Sequence, residues 1–129
     1  MKLLAIDFGL KKLGLAIGDD MVRIAEPLEV LRAKNLSEAI EELIKVVEVE
    51  KIEKVVIGIS AGKMAEETKK FGKLLKEKLN TPVIYQDETY STIEAQSMAI
   101  ASGIKRKKRR NLEDAYAATL ILQSYLDSL

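Results

Sequence analysis

The sequence predicts an α/β domain, with a mixed β-sheet that carries helices on both faces. Two observations support this. Three short apolar runs of strand length open the chain, and from about residue 35 onward helix-like and strand-like segments alternate. Apolar runs bounded by glycine or polar residues are typical of buried strands, whereas apolar residues every three or four positions indicate amphipathic helices. Strands followed by such alternation are typical of a sheet covered by helices.

The first two strands are predicted as a buried β-hairpin. Residues 3–6 and 13–17 are almost continuously apolar, are too short for helices and are bounded by glycines. The first run ends in a carboxylate, Asp7. An ionised carboxylate among apolar neighbours is costly unless a cation compensates it, so Asp7 is expected to face a basic side chain or a metal ion.

The remaining elements follow in order. Residues 24–31 predict a third strand, in which Pro27 favours an edge position. Asn35 followed by Glu38 is a helix-start pattern and opens an amphipathic helix to about Val49. The later predicted elements are a strand over 55–59, a helix with apolar positions Met64, Phe71, Leu74, Leu75 and Leu79, a strand over 83–86, a short helix capped by Ser91, and a last helix from Asn111 with Leu112, Ala115, Ala118, Leu122, Leu126 and Leu129 on one stripe.

Composition narrows the chemistry. The chain has 129 residues, which predicts one domain. It has no Cys and no His, so thiolate catalysis, zinc sites and histidine bases are excluded and any metal site must use oxygen ligands. The chain shows no basic, apolar leader and no apolar run of membrane-spanning length. We therefore expect a cytoplasmic protein without a membrane partner.

Basic residues are concentrated in one segment, although the chain as a whole has nearly equal numbers of basic and acidic residues. Residues 105–110 hold six of the 21 Lys and Arg residues, while the chain carries 20 Asp and Glu. Such a segment is most often a solvated loop or, from composition alone, a nuclear-import signal. Its position just before Asp114 favours contact with the phosphates of a nucleic acid.

Three carboxylates are candidates for one metal site: Asp7, Glu88 and Asp114. Asp7 ends the first strand and Glu88 the last, and these strand ends can meet at one edge of the sheet. Carboxylates drawn together repel one another, and Mg²⁺ or Mn²⁺ is the usual resolution. Each acid also has a purely structural interpretation: Asp7 could cap a turn, Glu88 could be solvated, and Asp114, three residues after Asn111, could serve the helix dipole.

Five stretches, in the same order along nearly the whole chain, resemble the YqgF/RuvX family of RNase H-like nucleases. They are Asp7-Phe8-Gly9 through Leu13-Gly14-Leu15-Ala16, Glu26-Pro27-Leu28, Val55-Val56-Ile57-Gly58, Asp87-Glu88 with Ser91-Thr92, and Lys107-Lys108-Arg109 through Asp114 to Leu126. Two features differ from the family pattern. Thr89 replaces the usual Arg, and the loop after Gly58 is short.

The resemblance implies an RNase H-like fold, a five-stranded mixed sheet flanked by helices, in a single nuclease domain over residues 1–129. It implies a hydrolase that cuts phosphodiester bonds with Mg²⁺ or Mn²⁺, held by Asp7, Glu88 and Asp114. In that setting Lys107, Lys108, Arg109 and Arg110 would bind the nucleic-acid backbone.

The implied function is 5′-end maturation of pre-16S rRNA in ribosome biogenesis, with ribosomal precursor particles as partners. Two alternatives stay open. One is a Holliday junction resolvase acting on branched DNA, which needs a dimer to cut two strands. The other is a non-catalytic RNA-binding module for ribosome assembly. The three acids argue against that module, because negative charge facing phosphate gives a pure binder no advantage.

Overall fold

The computed structural model describes the backbone of residues 1–59, 63–87 and 106–129, and the side chains of these residues except 63 and 106–113. The described strands are β1 (Lys2–Asp7), β2 (Lys12–Asp19), β3 (Ala25–Arg32), β4 (Lys54–Ile59) and β5 (Val83–Asp87), and the described helices are α1 (Leu36–Glu50), α2 (Lys63–Lys78) and α3 (Arg106–Asp127). The predicted helix at Ser91 lies outside the described residues.

The strands form one mixed sheet in the order β3-β2-β1-β4-β5. The central strand β1 pairs antiparallel with β2 and parallel with β4, and β4 pairs parallel with β5. The predicted hairpin and mixed sheet are therefore confirmed. Pro27 lies on the edge strand β3, as predicted, and the β2–β3 register shifts between Leu15 and Ala16, opposite this proline.

Alternate residues of the strands pack on opposite faces of the sheet. In β1, Leu4 and Ile6 join the larger core cluster, which contains buried residues of α1 and α2 such as Leu43 and Phe71. Leu3 and Ala5 instead join a cluster that includes Ala118, Ile121 and Leu122 of α3. Helices thus cover both faces, as the sequence predicts, with α3 lying alone on one of them among the described elements.

The caps of α1 agree with the sequence. The Asn35 side chain accepts a hydrogen bond from the Glu38 amide at 2.9 Å, and the helix ends at Lys51, which adopts a left-handed conformation with φ of 55°. The predicted helix α2 is confirmed, with Phe71 and Leu75 fully buried and Leu74 37% exposed. None of the described helices is long and apolar enough to span a membrane.

The start of α3 differs from the prediction. The helix begins at Arg106 rather than Asn111, so most of the basic segment forms its first turns instead of a loop. Lys and Arg have high helix propensity, and neither glycine nor proline interrupts the chain between Arg106 and Asp127. At the far end Leu129 lies beyond the helix and is 51% exposed, so it does not extend the buried stripe.

One close approach fixes where α3 lies on the sheet. Gly14 belongs to β2, and a Cβ atom on this glycine would lie 1.8 Å from the carbonyl oxygen of Asp114. Only a residue without a side chain leaves room for the helix backbone here. The third turn of α3 is therefore seated directly on the β2 backbone.

We expect Gly14→Ala to destabilise the protein by about 1–3 kcal/mol, because the added methyl group must push α3 away from the sheet. Urea denaturation at neutral pH measures this loss. Gly18→Ala is the matched control on the same strand and face, since its Cβ would meet its nearest atoms only at 3.0 Å. Equal losses in the two variants would contradict this account of the α3 contact.

Candidate active site

Asp7 is the last residue of the central strand. It is half-buried, and the alternation of β1 places it on the same face as Leu3 and Ala5, which is the face covered by α3. The next residue, Phe8, stacks on Phe71 of α2 with ring centroids 4.5 Å apart. This stacking anchors the chain immediately after Asp7, so the position of the carboxylate is set by the core on both sides of it.

Asp114 reaches the same place through Gly14. Asp7 and Gly14 are directly opposite each other in the β1–β2 pair, and residues so paired have Cα atoms about 4.5–5.5 Å apart. The backbone of Asp114 lies against the open face of that same Gly14. Two of the three predicted carboxylates are thus brought to one end of the sheet, on one face.

The position of Asp114 within α3 tests the alternative that this residue stabilises the helix dipole. The sequence allowed a role at the helix N-terminus, but Asp114 lies more than two turns after Arg106, and the first turn contains no acidic residue. Stabilisation of the helix dipole falls off within the first turn. Dipole stabilisation therefore does not explain this carboxylate.

A lysine that the sequence analysis did not single out contacts the site. The Nζ atom of Lys12 lies 3.1 Å from Oδ2 of Asp114. Lys12 begins β2, two residues before Gly14, so strand alternation directs both to the α3 face. That alternation predicts from the sequence which face Lys12 occupies, but it does not predict Asp114 as its partner. Its neighbour across the β2–β3 pair is Arg32, which adds a second basic residue at this end.

Glu88, the third predicted ligand, lies outside the described residues. The strand that leads to it is described: β5 ends at Asp87 and runs parallel to β4, which in turn runs parallel to β1. The carboxyl ends of β1 and β5 therefore share one edge of the sheet, as predicted, whereas the place of Glu88 stays a prediction. Among the described residues no group of three acidic side chains forms a metal site.

The basic residues Lys107, Lys108, Arg109 and Arg110 occupy the first turns of α3, and their side chains are not among those described. At a rise of 1.5 Å per residue, Arg110 lies about 6 Å and Lys107 about 10 Å from Asp114 along the helix axis. Because α3 packs on the sheet from Asp114 onward, these turns extend from the end of the sheet where Asp7 lies. The role of these four residues in binding nucleic acid stays a prediction.

Asp19 lies away from the site. It ends β2 at the opposite end of the sheet from Asp7, where its carboxylate accepts hydrogen bonds from the amides of Met21 and Val22 at 2.7 and 3.4 Å. The Met21 hydrogen bond is the main reason that the pKa of Asp19 lies below its ordinary value. Asp19 therefore stabilises a turn and is no part of the site. Thr89, Ser91 and Thr92 lie outside the described residues.

The donor set suits a hard divalent cation. Asp7 and Asp114 offer carboxylate oxygens, which Mg²⁺ and Mn²⁺ prefer, and the chain has no Cys or His to favour zinc. Mg²⁺ is usually held by one or two carboxylates together with water and substrate phosphate. The residues present therefore fit such an ion.

The order β3-β2-β1-β4-β5, with β2 antiparallel to its neighbours, is that of the RNase H-like fold. Solved structures agree on the fold. The Fowlpox virus resolvase in complex with Holliday junction DNA superposes with a TM-score of 0.65 at 16% identity, covering 99% of this chain and 98% of that one. RuvC of T. thermophilus, in complex with a Holliday junction substrate, gives a TM-score of 0.64 at 16% identity, with coverage of 99% and 94%.

The chain belongs to the family described as "RuvX: Holliday junction resolvase", a nuclease family whose model matches residues 1–128. A relative from Heliobacterium modesticaldum named "Putative pre-16S rRNA nuclease" is 37% identical, covering 99% of this chain and 90% of its own length. A relative of the same name from Caldanaerobacter subterraneus is 38% identical, with coverage of 99% and 97%. The expected family membership, fold and nuclease class are thereby confirmed.

Proposed function

We propose that this chain, as one nuclease domain over residues 1–129, hydrolyses phosphodiester bonds with Mg²⁺ or Mn²⁺ bound by Asp7, Glu88 and Asp114. The observation that carries the proposal is the juxtaposition of Asp7 and Asp114 across Gly14. Carboxylates that share one end of the sheet repel one another, and a divalent cation bound by both relieves that repulsion.

In this site the residues have distinct tasks. Asp7 and Asp114 would hold the divalent ion from the strand and from the helix, and Glu88 would complete the set of oxygen ligands. When bound, the ion supplies Lewis-acid chemistry, lowering the pKa of water and stabilising charge that develops on the phosphate. Both described acids lie next to closely packed backbone, Asp7 beside the Phe8–Phe71 stack and Asp114 against Gly14, and this packing positions them before the ion binds.

The substrate that we propose is the precursor of 16S rRNA, cut during maturation of its 5′ end in the cytoplasm, on ribosomal precursor particles. Support comes from the relatives, which share 34–38% identity over almost the whole chain and carry the pre-16S rRNA nuclease name. Lys107, Lys108, Arg109 and Arg110 are proposed to hold the RNA backbone beside the metal site. The start of α3 would then extend the site along the path of the strand being cut.

A second candidate is Holliday junction resolution, which the family description names. Cutting a junction requires two active sites, one on each of two strands, so this candidate needs a stable dimer. A monomer would favour RNA processing.

We expect Asp7→Asn to lower metal-dependent cleavage by at least about a hundredfold, because the amide removes the negative charge that binds the ion. The assay compares labelled pre-16S rRNA and a labelled four-way DNA junction with Mg²⁺, Mn²⁺ or EDTA. Asp20→Asn is the matched control, since Asp20 lies beyond the opposite end of β2. It should retain wild-type cleavage.

Cleavage of the RNA that requires both the metal and Asp7 would establish the proposed activity. Cleavage of the DNA junction but not of the RNA, by a dimer, would show that the substrate is branched DNA instead. Equal RNA binding by wild type and Asp7→Asn, with no cleavage of either substrate under any condition, would refute the nuclease proposal in favour of an assembly module.

Backbone anchoring by α3 predicts a change in salt dependence. The double variant Lys107→Gln, Lys108→Gln should bind single-stranded RNA more weakly, and the slope of log K against log salt should fall by about 1.4, or 0.7 for each lost phosphate contact. Fluorescence anisotropy in EDTA, where the proposed metal-dependent cleavage would not cut the RNA, measures both. Lys69→Gln with Lys70→Gln is the control, since these exposed lysines lie on α2, across the sheet. A similar slope change in both pairs would argue against a specific role for α3.

A further inference from the structure

The Lys12 ion pair gives Asp114 a cation before any metal is bound. Lys12 Nζ lies 3.1 Å from Asp114 Oδ2, and the two side chains are 45% and 30% exposed. This pair is less exposed than the surface pair of Lys70 with Glu67, whose side chains are 69% and 46% exposed and whose charged atoms lie 3.8 Å apart. The ammonium contacts the carboxylate that the proposed function assigns to the metal.

The backbone holds this lysine where it is. Lys12 is the first residue of β2, paired with Arg32 on β3, and it lies only two residues from the Gly14 contact that seats Asp114. Both partners of the ion pair thus belong to regular secondary structure, close to the point where α3 approaches the sheet. The pair is part of the architecture of this end of the sheet and does not depend on a flexible loop.

We propose that Lys12 is a resident counter-ion that positions Asp114 in the metal-free protein and competes with the divalent ion for that carboxylate, so that it sets the metal affinity of the site. The inference rests on the proposed function and adds a residue to it. Lys12 is a positioning residue in this account and need not touch the substrate.

The direction of the effect follows from charge. Without the ion, the ammonium offsets repulsion between Asp114 and the nearby Asp7, which keeps the acidic end of the sheet together. A divalent cation held by Asp114 would be repelled by the same ammonium, which would lose its contact with Oδ2. At separations of a few ångströms in a largely solvated site, these terms amount to roughly a threefold to tenfold weakening of metal binding at low salt.

The test is a Mn²⁺ titration of the intact protein at low ionic strength, in which loss of the free-ion electron paramagnetic resonance signal reports binding. Lys12→Met removes the charge but keeps an unbranched apolar stem, and it should bind Mn²⁺ about threefold to tenfold more tightly than wild type. Lys12→Arg keeps the charge and should stay within about twofold of wild type. Lys11→Met makes the same change one residue away, on an exposed side chain, and should shift binding by less than about twofold.

Thermal melting shows whether Lys12→Met changes metal binding or merely the stability of the fold. In EDTA, Lys12→Met should melt at or below the wild-type temperature, and saturating Mn²⁺ should raise its Tm by more than it raises that of wild type. Mn²⁺ affinity of Lys12→Met equal to or weaker than wild type would overturn the inference.

Asp7→Asn separates this inference from the proposed function. If Asp7→Asn weakens Mn²⁺ binding while Lys12→Met fails to tighten it, the metal site stands and only the role of Lys12 is refuted. If wild type and Asp7→Asn bind Mn²⁺ alike, the metal site itself fails and the inference is overturned with it.

Discussion

The contact between Gly14 and the backbone of Asp114 is the constraint on which the rest of the site depends. It joins the two layers at one point: the hairpin supplies Gly14 opposite Asp7, and the helix supplies Asp114. A side chain at position 14 would separate them. The spacing of the acidic end of the sheet is therefore set by backbone packing and not by the flexible ends of side chains.

Small residues extend this close packing along α3. The interface between the helix and the sheet contains Ala5, Ala16 and Ala118, all fully buried, while larger residues such as Ile121 and Leu122 fill it further along. Alanines at the point of contact let the helix axis approach the strands, and branched side chains beyond them supply most of the apolar burial. The opposite face is built differently, with Phe71, Leu43 and Leu75 in a thicker core. The site lies on the thin side of the domain, where helix backbone and strand backbone meet.

Acidic and basic residues meet at this end of the sheet. Asp7 and Asp114 lie on either side of Gly14, the Lys12 ammonium contacts Asp114, and Arg32 and the basic first turns of α3 lie at the same end. The ammonium offsets part of the negative charge in the metal-free protein, and the carboxylates can still bind a divalent cation. In the proposed function this end of the sheet would contact both the metal and the nucleic-acid backbone, so the positive charge of these residues would act on both ligands.

Much of this could be predicted from the sequence, for reasons that are local. The strands of the hairpin are short apolar runs, the start of α1 has its Asn35 cap, and Pro27 marks the edge strand. Asp7 was identifiable because a carboxylate next to a buried run needs a partner. The start of α3 was mispredicted because charge density suggested a loop, whereas Lys and Arg propagate a helix well. The Lys12–Asp114 pair joins residues far apart in the chain, so local reasoning could not predict it. The strand register predicts which face Lys12 occupies, but only the Gly14 contact fixes which turn of α3 it meets.

The most direct test of the central claim is a crystal structure of the protein with Mn²⁺, with anomalous scattering used to locate the ion. The account predicts a peak at the end of β1, within about 2.0–2.5 Å of carboxylate oxygens of both Asp7 and Asp114. A peak that contacts neither residue, or only one of them with the other turned away, would contradict the claim that the Gly14 contact assembles a metal site.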